Sequence, residues 1–133
     1  MATVKYLGGL RAEWTHLASG GKILTDAPVD NKGKGEGFSP TDLCAASLAG
    51  CALTIMGIYA QEHDVNIDGA TAEVSKTMQA DPRKIARIDI NISMPDREYT
   101  DRQKKALTKA METCPVRLTL ETVEQNVAIN WAK

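Results

Sequence analysis

Residues 39–62 of the chain read SPTDLCAASLAGCALTIMGIYAQE. Ser39 precedes Pro40, and Asp42 follows in the first turn. This order is typical of a helix start, because serine caps free N–H groups, proline is tolerated at the first position and an acidic side chain complements the helix dipole. The eighteen residues after Asp42 carry no charge. The sequence therefore predicts one long helix from Pro40 to about His63.

The uncharged stretch is long enough to be considered as a membrane span. Its five alanines, with glycine, serine and threonine, give it small side chains rather than a strongly apolar surface. Asp42, Glu62 and Asp64 flank it, without the basic cluster that is common beside membrane spans. We therefore expect a core helix that is buried on all sides.

The remaining elements are predicted from alternation of apolar residues and from turn residues. Strands are expected before the helix at Thr3–Tyr6, Arg11–Leu17 and Lys22–Thr25. Residues 26–38 contain three glycines and a proline without an apolar period, which predicts a loop. Later elements are expected at Ala70–Gln79 and Ile85–Met94 (strands), at Tyr99–Cys114 and Pro115–Val123 (helices), and at Val127–Trp131 (a strand). The length of 133 residues predicts a single domain over residues 1–133, which contains both strands and helices.

Composition excludes several classes of partner. Sixteen basic and seventeen acidic residues give a formal charge of −1, so the chain has no basic surplus for nucleic acid or an anionic membrane. A small molecule or another protein is the expected partner. Three cysteines without a recognisable signal peptide favour a reducing compartment, and we expect the cytoplasm.

Two cysteines are the strongest candidates for chemistry. Cys51 lies inside the apolar helix, and Cys114 directly precedes Pro115. Because a helix N-terminus favours the thiolate, Cys114 is expected to be a thiol at a helix start and Cys51 its buried partner. Cys44 is about 10 Å from Cys51 along the helix, too far for a disulfide, so only Cys114 can pair with either. Inert packing as small apolar side chains is the alternative for all three.

The other side chains that could carry chemistry have structural interpretations. No metal site is expected, since neither Cys-x-x-Cys nor His-x-x-x-His spacing occurs. His63 is expected to interact with the carboxyl end of the long helix. Trp14 and Trp131 are expected to be core or dimer contacts.

The run from Ser39 to Cys51, the glycine-rich loop before it and the later Thr113-Cys114-Pro115-Val116 resemble the OsmC/Ohr family of osmotically inducible and organic hydroperoxide resistance proteins. The chain is most similar to the OsmC-like branch. The resemblance implies an intertwined α+β homodimer with antiparallel sheets around long central helices and two active sites at the subunit interface.

The resemblance also implies a thiol-dependent peroxidase that reduces organic hydroperoxides. Cys51 would form a sulfenic acid, Cys114 would resolve it as a disulfide, and a dithiol reductant would restore both thiols without a cofactor or metal. The alternative is a non-peroxidatic OsmC-like dimer that binds a small ligand or senses redox state.

Residues that support the cysteine are also implied by the resemblance. In the peroxidase branches, a glutamate after the helix-start proline acts with an arginine to orient and activate the cysteine. Here Thr41 occupies that position and Asp42 follows it. Arg11 and Lys32 are the candidates for the basic group.

Overall fold

Two three-stranded sheets and three α-helices make up the fold, and the computed structural model describes all residues from Met1 to Lys133. In chain order the elements are β1 Ala2–Gly8, β2 Arg11–His16, β3 Lys22–Asp26, α1 Pro40–Glu62, β4 Thr71–Gln79, β5 Lys84–Ser93, α2 Asp101–Glu112, α3 Pro115–Thr119 and β6 Glu124–Asn130, with a 3-10 turn at Val29–Asn31. The predicted α+β class is confirmed. The chain divides into two compact units, Met1–Cys44 and Ala45–Lys133.

The first unit contains the antiparallel sheet β1-β2-β3. Val4, Trp14 and Ile23 are opposite one another across the three strands and therefore share one face. The indole N–H of Trp14 donates to the Thr25 hydroxyl at 2.9 Å. Every buried apolar side chain of the protein lies at or after Ala45, so this sheet has no buried apolar core of its own.

The second unit contains the core. Successive inward residues of β5, namely Ile88, Ile90 and Ile92, are almost fully buried, as period-two alternation predicts. Side chains from both long helices complete the same cluster: Ala45, Leu48, Ala49, Ala52, Met56 and Ala60 from α1, with Leu107 and Met111 from α2. One face of the second sheet is thus covered by helices.

One strand pairing differs from the antiparallel sheets that the family resemblance implied. The second sheet has the order β4-β5-β6, and β6 runs parallel to β5, with Gln125 opposite Ile88. The physical reason is the connection, because the chain passes through α2 and α3 between the two strands. A helical crossover returns the chain in the same direction, whereas a short hairpin reverses it.

Helix α1 has the predicted start and end. Ser39 and Asp42 form a reciprocal cap, in which the Asp42 N–H donates to the Ser39 hydroxyl at 3.0 Å and the Ser39 N–H donates to the Asp42 carboxylate at 2.9 Å. At the other end, a ring nitrogen of His63 is 2.9 Å from the carbonyl oxygen of Tyr59. The expected interaction of His63 with the carboxyl end of the helix is therefore confirmed.

The expectation that α1 is buried on all sides is wrong for a single chain. One face lies in the core, but Ser47, Gly50, Thr54 and Ile58 on the other face are exposed. By length and composition α1 could also cross a membrane, a test that core helices of soluble proteins meet as well. Because its buried face belongs to the main hydrophobic cluster, we interpret α1 as a core helix.

The two later helices are joined at Cys114. Thr100 caps α2 through a capping box with Gln103, which explains why α2 begins at Asp101. Helix α3 is one turn and ends at Thr119, four residues before the predicted Val123. It ends early because β6 starts at Glu124, and the chain needs the intervening residues to turn into the sheet.

Candidate functional site

Cys51 and Cys114 are brought together in the second unit. Cys51 packs against the buried cluster that contains Cys114, the two thiols interact, and no disulfide joins any of the three cysteines. Cys51 lies on α1 and is half-buried, whereas Cys114 caps α3 and has no exposed surface. A half-buried thiol and a fully buried one are thus brought together from two elements.

The environment of Cys114 favours its protonated form. Burial raises the pKa of the Cys114 thiol, and the interaction with the Cys51 thiol raises it further. The backbone N–H of Arg117, which donates to Cys114 Sγ at 3.5 Å, acts in the opposite direction but is the smaller effect. Cys114 therefore keeps its proton to higher pH than an ordinary thiol.

The expectation that Cys51 is the buried partner is wrong, because Cys114 is the fully buried thiol and Cys51 is half-buried. The sequence correctly predicts that Cys114 caps a helix, but α3 has only five residues, so its dipole is small. Complete burial of Cys114 among core side chains has the larger effect on the pKa of its thiol. Cys51 is the more accessible of the two sulfurs.

Arg11, one of the predicted supporting residues, is held by two carboxylates of the first unit. Its Nε and Nη2 donate to the two oxygens of Asp26 at 2.7 and 3.0 Å, and Nη2 also donates to Glu36. These bonds raise the pKa of Arg11, and the Arg11 hydrogen bonds hold the pKa of Asp26 below its usual value. Asp26 is buried, and its carboxylate also accepts the Glu36 N–H at 3.1 Å.

Sequence reasoning missed Asp26 and Glu36. The signal for Asp26 was available, because antiparallel pairing of β2 with β3 places Arg11 opposite Asp26. Glu36 gives no comparable signal, since it lies in the irregular loop between β3 and α1.

The other supporting candidates lie at the start of α1 and in the loop before it. Asp42 takes part in the α1 cap, and the Thr41 hydroxyl is 3.1 Å from the hydroxyl of Ser39. Lys32 is exposed, with a left-handed backbone that ends the 3-10 turn. The structure therefore gives Thr41 and Asp42 a local role in starting the helix.

The two tryptophans have packing roles. Trp131 makes an edge-to-face contact with Tyr99, with the ring centroids 5.5 Å apart, and the Lys104 ammonium lies 5.7 Å from the Trp131 ring centre. Both tryptophans are half-buried.

A cavity of about 670 Å³ lies along β6, and two of its lining residues, Met111 and Arg117, are hydrogen-bonded to Cys114. Its lining includes Met111, Arg117, Gln125 and Trp131, and neither Cys51 nor Cys114 contributes to it. Its volume is in the range of small-molecule sites. The thiol pair is nevertheless the better candidate for catalysis, because there two nucleophilic side chains lie next to each other.

Comparison with known proteins agrees with these elements. A model of the family described as OsmC-like protein matches residues 33–130. The chain belongs to the OsmC-like family. The matched region includes the start of α1 and both cysteines of the pair.

Solved structures share the fold of this OsmC-like protein. One from Psychrobacter arcticus 273-4, described as an osmotic stress induced and detoxification response protein, is 47% identical, with a TM-score of 0.92 over 97% of this chain and 94% of that chain. An OsmC-like protein from Mycoplasma pneumoniae has 17% identity and a TM-score of 0.81, over 100% of this chain and 96% of the Mycoplasma chain. An organic hydroperoxide resistance protein from Legionella pneumophila has 17% identity and a TM-score of 0.76, over 98% of this chain and 96% of the Legionella chain. The last two show the fold alone. No curated protein matches the chain.

The ion pair of the first unit gives a pH-dependent prediction. Because the pKa of Asp26 is lower in the folded protein, the pair stabilises the fold above the unfolded value of about 3.9, and this contribution is lost as pH falls through the folded value. Asp26→Asn should therefore lower the thermal midpoint at pH 7, and the gap from wild type should narrow below about pH 4. Thermal unfolding at pH 7 and pH 3 measures the midpoint difference between wild type and variant at each pH, and Asp68→Asn, at an exposed position, is the control. A midpoint difference of equal size at both pH values would contradict a stabilising role of the Asp26 ion pair.

The burial of the two thiols predicts an order of alkylation. Iodoacetamide should modify Cys51 well before Cys114, because Cys114 is fully buried and remains protonated to higher pH than an ordinary thiol. Peptide mass spectrometry of timed samples at pH 8 gives the two alkylation rates. In urea, where the protein is unfolded, the two rates should become similar. Faster modification of Cys114 in the folded protein would show that its burial is wrong.

Proposed function

We propose that this OsmC-like protein is a thiol-dependent peroxidase that reduces organic hydroperoxides. The observation that carries the proposal is the contact of Cys51 with Cys114, in which a half-buried thiol lies against a fully buried, protonated one. Membership of the OsmC-like family supports it, as does the fold shared with the Legionella pneumophila organic hydroperoxide resistance protein.

The first step takes place at Cys51. Its thiolate attacks the terminal oxygen of the hydroperoxide, so that an S–O bond forms and the O–O bond breaks. The alkoxide leaves and takes a proton to become an alcohol. Cys51 is then a sulfenic acid and has lost two electrons to the peroxide.

The second step uses the proton that Cys114 retains. The Cys114 sulfur attacks the Cys51 sulfur, the S–S bond forms, and hydroxide leaves with the Cys114 proton as water. A dithiol reductant then gives two electrons and two protons, restores both thiols and departs as its own disulfide. We place this cycle in the cytoplasm, where dithiol reductants are maintained.

A second candidate function is a non-peroxidatic dimer that binds a small ligand or senses redox state. The observation that favours it lies at the start of α1, where Thr41 stands in the position of the glutamate that the resemblance implies for the peroxidase branches, and Asp42 takes part in the helix cap. Under this alternative the cysteines would form a disulfide without turning over hydroperoxide.

We also propose that residues 1–133 form one domain that is completed in a homodimer. Ten of the twelve exposed large hydrophobic side chains precede residue 39, and α1 exposes a stripe that includes Ile58. A monomer rarely leaves so much apolar surface uncovered. A second copy of the chain would cover the first sheet and the open face of α1, which is the arrangement expected of a symmetric dimer.

The peroxidase proposal predicts different products for the two cysteine variants. After one equivalent of cumene hydroperoxide, wild type should lose two hydrogens as it forms the disulfide, and Cys51→Ser should not react. Cys114→Ser should gain one oxygen atom on Cys51, and a second oxygen with a second equivalent, because the thiol that intercepts the sulfenic acid is gone. Intact-mass spectrometry distinguishes these products, and a dithiol-coupled assay measures turnover.

Cys44→Ser is the matched control for these variants, because Cys44 lies two turns before Cys51 on the same helix. It should keep turnover close to that of wild type. Folded wild-type protein that gains neither oxygen nor a disulfide would rule out the peroxidase. Disulfide formation without turnover would favour the redox-sensing alternative.

The dimer proposal predicts sedimentation of wild type as a dimer at micromolar concentration. Ile58→Glu should raise the dissociation constant by at least about 100-fold, since burying an unpaired charge in an apolar interface costs several kcal/mol. Thr122→Glu, an exposed change in the turn before β6, is the control and should sediment as wild type does. A wild-type monomer under these conditions would contradict the proposal.

A further inference from the structure

Gln125 joins β6 to the short helix that begins at Cys114. Its amide nitrogen donates to two backbone carbonyls, that of Arg117 at 3.0 Å and that of Leu120 at 2.7 Å. Both carbonyls belong to the last turn of α3 and its cap. The Leu120 carbonyl also accepts the Val123 N–H at 2.9 Å, so Gln125 ties the carboxyl end of this helix to the sheet in addition to that local turn.

Helix α3 needs such a contact more than a longer helix would. A five-residue helix is not stable by itself, because it makes too few internal hydrogen bonds to offset nucleation. Its last carbonyls also have no partner further along the helix. Gln125 supplies these partners from a strand that is paired along its length with β5, and it lies opposite buried Ile88.

The orientation of the Gln125 amide is set by these two bonds. Both acceptors are carbonyl oxygens, so the nitrogen must face α3 and the oxygen must face the other way. Gln125 Oε1 is buried and has no hydrogen-bond partner. An unpaired buried oxygen is unfavourable, so the two bonds to α3 account for the side chain's position.

The contact with α3 reaches the cysteine through Arg117. Gln125 binds the Arg117 carbonyl, while the Arg117 N–H donates to Cys114 Sγ at 3.5 Å. The Leu118 N–H donates to the Cys114 carbonyl at 3.1 Å, which fixes the same turn from its other side. A shift of α3 would therefore displace the Cys114 sulfur from Cys51.

We propose that Gln125 is a positioning residue for disulfide formation between Cys51 and Cys114. It holds α3 so that the Cys114 sulfur stays in contact with Cys51. The inference rests on the proposed function, in which Cys114 attacks the Cys51 sulfenic acid, the S–S bond forms, the S–O bond breaks and hydroxide leaves with the thiol proton as water. A displacement of about 1 Å can slow such a step by up to about 100-fold.

The test is Gln125→Met, studied with Cys44→Ser so that only one disulfide can form. Methionine keeps the length of the side chain and removes both donors together with the unpaired oxygen. The Leu120 carbonyl keeps the Val123 N–H as a partner, whereas the Arg117 carbonyl loses its bond to Gln125. In glutathione redox buffers, the equilibrium constant for the Cys51–Cys114 disulfide should fall about tenfold, which is about 30 mV for a two-electron couple. This measurement does not require peroxidase activity.

Gln103→Met is the matched control. It also removes a glutamine side-chain bond to the backbone at a helix end, since Gln103 Oε1 accepts the Thr100 N–H at 2.9 Å at the start of α2. Its disulfide equilibrium should equal that of wild type. Equal equilibria in the Gln125 and Gln103 variants, or wild-type protein that forms no Cys51–Cys114 disulfide, would overturn the inference.

Oxidation with hydroperoxide distinguishes failure of this inference from failure of the proposed function. In Gln125→Met the first oxidation of Cys51 should keep its rate, while the share of sulfinic acid over disulfide should rise at equal peroxide. A slower first oxidation with an unchanged product ratio would overturn the inference. If wild type forms the disulfide in glutathione buffer but does not react with hydroperoxide, the peroxidase proposal fails while the positioning role stands.

Discussion

Burial of one face of α1 in the same hydrophobic cluster as Cys114 is the constraint on which the rest of this structure depends. Four of the six buried residues of α1 are alanines, and Cys51 packs against the cluster. A dense core adapts poorly to added volume. A larger residue at Ala52, which is buried next to Cys51 in the sequence, would disturb the packing on which the position of both sulfurs depends. The site therefore requires the small side chains of α1 as well as its cysteine.

The elements that local sequence controls were predicted well. The start of α1 follows from Ser39, Pro40 and Asp42, whose reciprocal cap needs no distant contact. The strands β4 and β5 follow from alternation, because each has one buried and one exposed face. The parallel pairing of β6 could not be predicted in this way, since it depends on contact between segments far apart in the chain.

The candidate site was predicted only in part, because some of its features depend on contacts between distant segments. The resemblance of the α1 and Cys-Pro motifs indicated Cys51 and Cys114, and the structure places them in contact. Which thiol is buried depends on how α2 packs, and a sequence motif does not contain that information. The partners of Arg11 depend on strand register and on the path of a loop. Gln125 belongs to no recognisable motif, because its hydrogen bonds depend on how β6 packs beside α3.

The uneven distribution of apolar side chains has a consequence for biosynthesis. The segment Met1–Cys44 leaves the ribosome before the rest of the chain, and its sheet contains none of the buried apolar side chains. A small sheet is stable only when its apolar face is covered. At roughly 5–20 residues per second, the remaining chain takes at least about four seconds to complete. During that interval the first strands are prone to aggregation, so a chaperone that binds nascent chains would protect this protein more effectively than one that acts after release.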